Sequence, residues 1–193
     1  MKKSRLIIGI TGASGIIYGI RLLEVLKSTP IETHLIVSKA AHQTRAYETT
    51  MSSEELYALA DYHYPINKIG ASLSSGSCKT LGMIIAPCSM RSLADIAGGN
   101  TSNLITRAAD VVLKERRKLV LMIRETPLHL GHIRNMATVT EMGAIIAPPV
   151  PAFYSQPSKI DDLINHSVGR ILDLFDLELG LVRRWDPSEK KHD

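Results

Sequence analysis

Six residues, Lys118 to Ile123, read K-L-V-L-M-I: one lysine, then five apolar side chains in a row. A strand on a half-exposed sheet alternates polar and apolar positions, whereas one without alternation is covered on both faces. The residues before it, from Arg107 on, mix Ala108, Val111, Val112 and Leu113 with charges and contain no Gly or Pro, which predicts a helix over 103–117. A helix feeding an apolar strand is the repeating unit of a parallel sheet sandwiched between helices. Arg124 and Glu125 fall where the strand should end. Ligands of open α/β sheets bind outside the carboxyl ends of the strands, so this charged pair stands where chemistry tends to occur. Arg107 and Lys114 are two helical turns apart and share a face. With Arg124 they make three cations able to converge on one spot, which points to an anion, most simply a phosphate. The competing reading is that Arg107 and Lys114 cap and solvate a surface helix.

The same unit recurs. Strands are expected at Arg5–Ile10, Glu32–Val37, 82–87 and 143–147, with helices at 16–27, Lys39–Glu48, 51–61, Met90–Ala97, 128–141 and 158–176. Pro87 should stop its strand, and 62–80 reads as an irregular loop carrying A-S-L-S-S-G-S, able to fold over an anion. Strands alternating with helices predict a single α/β domain: a three-layer, flavodoxin- or Rossmann-like parallel sheet. Between the first strand and helix lies T-G-A-S-G. Such a turn brings backbone close to a ligand and offers the free N–H groups of a helix start to a phosphate. The glycines are spaced G-x-x-G-x-x-G, which argues against a dinucleotide and leaves FMN or another mononucleotide open. A plain strand-to-helix connection is the equal alternative. Ser38 and Ser89 can bind a ligand or cap the next helix, with capping favoured for Ser38. Glu48 by itself reads as a surface carboxylate. His129 and His132 have metal-ligand spacing without a third ligand, so ordinary helix histidines are favoured. Four prolines in P-P-V-P-A-F-Y-S-Q-P at 148–157 predict an extended segment presenting Phe153 and Tyr154.

Composition sets bounds. A net charge of +4 with 5% aromatics and no Lys/Arg block argues against a nucleic-acid surface and fits cations set aside for a small anion. Cys78 and Cys88 form neither a disulfide framework nor a metal spacing, and a reducing cytoplasm is the default. The apolar run at the N-terminus breaks at Gly9 and Gly12, too early for a secretion signal, and no stretch is long enough to span a membrane.

Several stretches together carry a resemblance: I-T-G-A-S-G at 10–15, V-S-K-A-A at 37–41, S-S-G-S at 74–77, A-P-C-S-M at 86–90, R-A-A-D-V-V-L-K-E-R-R-K-L-V-L at 107–121, R-E-T-P-L at 124–128, P-P-V-P-A-F-Y at 148–154 and R-R-W at 183–185. In this order they resemble the UbiX/Pad1 flavin prenyltransferases. The resemblance implies a metal-free reaction in which reduced FMN and dimethylallyl phosphate give prenyl-FMN and phosphate, the allyl group joining flavin N5 and then C6. It implies FMN binding by Gly12, Ala13, Ser14, Ser38, Ser89, Met90, Arg91, Ser92 and Arg124, with Ser14 near N5. It implies prenyl-phosphate binding by Ser75, Arg107, Lys114, Arg124, Tyr154 and Arg170. Ser14, Glu48, Glu125, Tyr154 and Trp185 take the catalytic positions: Glu125 assists proton loss from C6, Glu48 is a second pocket carboxylate, and the aromatic faces of Tyr154 and Trp185 favour a passing cation. It further implies an FMN-binding domain over 1–185 with a polar tail at 186–193, a homododecamer, and a UbiD-type decarboxylase as recipient of prenyl-FMN. Quinone biosynthesis and phenolic-acid breakdown both stay open, as does a monophosphate or diphosphate donor. Alternatives are an FMN-dependent decarboxylase of the cysteine-decarboxylase type and a non-catalytic flavin-binding subunit. The chain departs from the family pattern at Arg91-Ser92, at Asp95, expected to point away from the FMN phosphate, and at Cys78, expected to loosen the 74–77 loop.

Overall fold

The computed structural model describes residues 4–185. The polar tail expected at 186–193 lies outside the described residues. By its internal contacts the chain divides into two compact units, Met1–Pro148 and Pro149–Asp193.

The first unit runs β1 (Arg5–Ile10), α1 (Ile16–Leu26), β2 (Glu32–Val37), α2 (Lys39–Glu48), α3 (Ser53–Tyr57), β3 (Tyr62–Tyr64), β4 (Gly82–Cys88), α4 (Met90–Ala97), α5 (Leu104–Lys114), β5 (Lys118–Ile123), α6 (Leu130–Glu141) and β6 (Ile145–Ile146). The strands are parallel throughout, in the order β3-β2-β1-β4-β5-β6. This is the doubly wound α/β fold expected. Chain direction across the sheet reverses between β1 and β4, so the topological switch point lies at the carboxyl ends of those two strands. Every residue of β4 is buried, and every residue of β5 after Lys118, because helices cover both faces. Helix α1 seals one face with Ile16, Ile20, Leu22, Leu23 and Leu26, each worth about 1.5–3 kcal/mol of burial. It lies so close that a Cβ on Gly19 would stand 2.5 Å from the Ala86 carbonyl oxygen.

Several boundaries differ from the sequence expectation, for local reasons. Strand β3 falls in the stretch read as irregular. It is only three residues long and pairs with β2 alone, and its Tyr62 and Tyr64 stack on the buried His34 ring at 5.1 and 5.8 Å. Strand β4 continues through Pro87 to Cys88, its register against β5 shifting between Ile85 and Cys88. Helix α3 is shorter than 51–61, with Ser52 and Glu55 forming a capping box. Helix α5 stops at Lys114 because Arg116 turns left-handed (φ 55°). The Arg117 N–H then reaches the Val112 carbonyl and the Arg116 N–H the Leu113 carbonyl, a Schellman closure. Helix α6 starts two residues late because His129 caps it, accepting from the Gly131 N–H.

The stretch 148–157, almost all of it in the second unit, is not extended throughout as the prolines predicted. Phe153–Ser155 makes a 3-10 turn, closed by the Gln156 N–H bonding the Phe153 carbonyl. Helix α7 (Ile160–Asp173) follows, shorter than expected, with the chain turning left-handed at Asp176.

Candidate functional site

Segments from β1, β2, β4 and β5 emerge together at the carboxyl end of the sheet. Thr11, 1% exposed, stitches the switch point. Its hydroxyl donates to the Pro87 carbonyl and accepts from the Ser89 N–H, both at 2.8 Å. The Ser38 N–H bonds the Ile10 carbonyl, and the Arg124 N–H bonds the Cys88 carbonyl. Each connection is thereby tied to its neighbour, which fixes the places of Ser14, Ser38, Ser89 and Arg124. Thr11 was passed over in the sequence; a hydroxyl directly ahead of the glycine turn was the available signal.

The glycine turn differs from its sequence reading. The space a Gly12 side chain would need is filled by Ala40, whose Cβ would lie 2.3 Å away, so this glycine serves packing against α2. Gly15 takes φ 100°, a left-handed conformation that costs other residues. The N–H groups of Gly15 and Ile16, expected to be open to a phosphate, both donate to the Glu48 carboxylate at 2.9–3.1 Å. The helix start does attract an anion, and the anion there is the protein's own. Ser38 and Ser89 both cap: Ser38 accepts from the Ala41 N–H, Ser89 from the Ser92 N–H. Ser14 and Arg91 are exposed, and Met90, Arg91 and Ser92 form the first turn of α4. Arg124 is exposed and its charge reaches Tyr18: burial raises that phenol's pKa, and Arg124 pulls it part of the way back. The neighbouring Glu125 accepts from the Thr126 N–H. Asp95 accepts from the Asn100 side chain.

The other cations lie elsewhere. Helix α5 runs down into the start of β5, so Lys114 sits at the amino end of the sheet. Arg124 stands at the far end of a six-residue strand, roughly 20 Å along it. Arg107, Lys114 and Arg124 therefore do not converge within one chain. Arg107 and Lys114 instead meet the serine loop: Arg107 donates to the Ser74 carbonyl at 3.2 Å, and a Cβ on Gly76 would lie 3.0 Å from Lys114 Nζ. Exposed Ser75 shares a 2.8 Å hydrogen bond with the Ser77 hydroxyl. Cys78 is 9% exposed, and its carbonyl accepts from Arg117 at 2.7 Å, so the loop is held at this residue. Both cations carry carboxylate partners, Asp110 for Arg107 and Glu115 for Lys114. These partners hold charge that an incoming anion can take over.

In the second unit Tyr154 packs edge-on against Trp185 at 5.5 Å and against His166 at 5.6 Å, with its hydroxyl 3.0 Å from His166 Nε2. Burial, and then the charge of Arg170, hold the His166 pKa below its ordinary value. Arg170 pairs with Asp173 at 3.0 Å. Tyr154, Trp185 and Arg170 are thus neighbours around His166, which the sequence reading missed; its place one helical turn before Arg170 was the clue. Among the described residues no group of three or more His, Cys, Asp or Glu could hold a metal, and no helix is long and apolar enough to cross a membrane.

A parallel sheet with hydroxyls and an exposed guanidinium gathered at its switch point defines a nucleotide-binding α/β protein, and residues 1–172 match the Flavoprotein family model. The chain belongs, more narrowly, to the UbiX family of flavin prenyltransferases. The flavin prenyltransferase UbiX of Escherichia coli is 58% identical over 184 residues, which cover 94% of this chain and 97% of that one. The crystal structure of AnUbiX (PadA1) in complex with FMN and dimethylallyl pyrophosphate is 51% identical with a TM-score of 0.94, covering 96% of this chain and 98% of that one. A dodecameric FMN-dependent UbiX-like decarboxylase from Escherichia coli O157:H7 is 48% identical with a TM-score of 0.92, covering 94% of this chain and 99% of that one.

Proposed function

We propose that this chain joins the dimethylallyl group of dimethylallyl phosphate to reduced FMN, releasing phosphate and prenyl-FMN. The observation that carries the reading is the near-complete likeness to a protein solved in complex with FMN and dimethylallyl pyrophosphate. The donor set at the switch point fits FMN. Ser14, Ser92 and the exposed Arg91 and Arg124 offer hydroxyls and cations, around a backbone held in place by Thr11. Gly12, Ala13, Ser38, Ser89 and Met90 complete that wall. Bound reduced FMN supplies the nucleophilic N5 and C6 positions.

An allylic C–O bond breaks when charge building on the departing phosphate is neutralised. Arg107, Lys114 and Arg170 supply the positive charge, with Ser75 and Tyr154 as hydroxyl donors. The faces of Tyr154 and Trp185 shelter the cationic allyl group. Glu125 takes the proton that ring closure releases. Glu48 acts by holding the Gly15–Ile16 turn, which fixes Ser14 beside it. Since Lys114 and Arg124 sit at opposite ends of one sheet, a pocket that uses both takes them from different copies. The dodecameric Escherichia coli relative supports this reading. One FMN-binding domain over 1–185, a cytoplasmic location and a UbiD-type decarboxylase as recipient of the product belong to the same proposal.

Purified protein with reduced FMN and dimethylallyl phosphate, kept anaerobic, should yield a flavin heavier by one prenyl group, and a parallel reaction with the diphosphate ranks the donors. Bound FMN of unchanged mass with both donors contradicts the proposal and favours a flavin-binding subunit without catalysis.

A further inference from the structure

Arg117 is a charged residue that the proposed chemistry leaves unused. It lies in the E-R-R-K turn between α5 and β5, with its side chain 17% exposed. Its Nη1 donates to the Cys78 carbonyl at 2.7 Å and its Nη2 to the Gly76 carbonyl at 2.8 Å. Two nitrogens of one guanidinium thus grip two carbonyls of the same loop, a planar fork that an ammonium group cannot reproduce. The left-handed turn at Arg116 aims this side chain: the Schellman closure ends α5 abruptly and lets residue 117 fold back beneath the loop. Arg107 adds a bond to the Ser74 carbonyl at 3.2 Å, and Arg5 reaches Cys78 Sγ at 3.7 Å. The loop backbone is therefore held from below at Ser74, Gly76 and Cys78, while Ser75 and Ser77 stay exposed, joined through their hydroxyls.

Gly76 is the second half of the device. A Cβ there would stand 2.1 Å from Glu115 Oε1 and 3.0 Å from Lys114 Nζ. Both atoms end flexible side chains, so a methyl group at this position would push the Lys114–Glu115 pair away from the loop, and Lys114 would lose its place against the residue that follows Ser75. Arg107 and Lys114 differ from Arg117 in degree, since Arg117 also lies 3.8 Å from Glu115 Oε2. Their closest partners are the partly exposed carboxylates of Asp110 and Glu115, which an anion can displace. Arg117 has two donors committed to backbone carbonyls and is mostly withdrawn from solvent, so its charge is not on offer to a ligand.

We infer that Arg117 is a positioning residue for the prenyl donor: through the Gly76 and Cys78 carbonyls it sets the loop that presents Ser75 to Arg107 and Lys114, with Gly76 leaving room for the Lys114–Glu115 pair against that loop. The inference rests on the proposed role of that group in holding the donor phosphate.

The test is steady-state kinetics on full-length Arg117→Lys and Gly76→Ala, with Arg107→Gln as reference and FMN affinity measured separately. Arg117→Lys keeps the charge and loses the fork; it should raise KM for dimethylallyl phosphate about tenfold, leaving FMN affinity within about twofold. Gly76→Ala should show the same split. Arg117→Ala should regain donor affinity when guanidinium ion is added at millimolar concentration, a rescue that a general loss of stability would not show. If Arg107→Gln raises KM while Arg117→Lys and Gly76→Ala leave it unchanged, the positioning role is wrong and the donor-site reading stands. If FMN affinity falls in step with donor affinity in Arg117→Lys, Arg117 supports the fold as a whole and the inference fails. An unchanged KM in Arg107→Gln overturns the donor-site reading and the inference with it.

Discussion

The two ends of the sheet handle charge in opposite ways. At the carboxyl end the backbone is stitched by neutral hydroxyls, Thr11, Ser38 and Ser89, and the one free helix start is filled by Glu48. At the amino end Arg117 holds a single loop, and Lys114 beside it carries a carboxylate that can be exchanged. The first arrangement suits a large, mostly neutral ring system with one phosphate. The second suits a small, highly charged group that must arrive and leave. On the proposed function, a reaction that draws on both ends, a strand's length apart, needs copies of the chain side by side.

The largest effects should come from substitutions that separate the two ends. Lys114→Met should cut kcat/KM for the prenyl donor by about a hundredfold and leave FMN affinity near that of the parent, as titration calorimetry can show. Arg124→Ala should weaken FMN. Equal loss of FMN in both variants breaks the distinction. Glu48→Ala should come next. It strips a carboxylate from two backbone N–H groups, which costs about 1–3 kcal/mol and lowers the melting temperature by several degrees. An unshifted melt means those bonds are idle.

Acid should act more gently. Burial, the leading cause, holds the His42 pKa below its ordinary value, with Arg45 adding to it, as burial and Arg170 do for His166. A histidine with a lowered folded pKa binds fewer protons folded than unfolded. Its contribution is full above an unfolded value of about 6.5 and is lost as pH falls from there toward the folded value. Melting temperatures measured over roughly pH 8 to 5, a range that brackets that midpoint, should decline on the acid side, and less so in His42→Gln. The smallest effect concerns the turn that aims Arg117. Arg116 holds a left-handed conformation usually taken by glycine. Arg116→Gly should stabilise by about 0.5–1 kcal/mol in a denaturant titration.

Much of the fold was legible because each strand signal was local. The apolar runs at 5–10, 32–37 and 118–123 form strands over those same residues. What escaped were features set by distant partners. Strand β3 exists because His34 offers its two tyrosines a surface, and β4 runs past Pro87 because Thr11 and Ser89 hold the far end. The candidate site was legible by residue type and not by place. Two-turn spacing put Arg107 and Lys114 on one helix face, and the structure adds that this face meets the serine loop. Nothing local to either residue says that a helix running antiparallel to its following strand carries Lys114 away from Arg124. Nor does the G-x-x-G spacing reveal that Glu48, more than thirty positions later, fills the cradle it forms.

The separation of Lys114 from Arg124 is tested most directly by mixing two inactive variants. Lys114→Met and Arg124→Ala proteins, unfolded together and reassembled, should regain prenyl transfer to about a quarter of the parent level, since random pairing gives that share of sites one intact member of each kind. Mixtures as inactive as either variant alone would contradict the account and return both cations to a single chain.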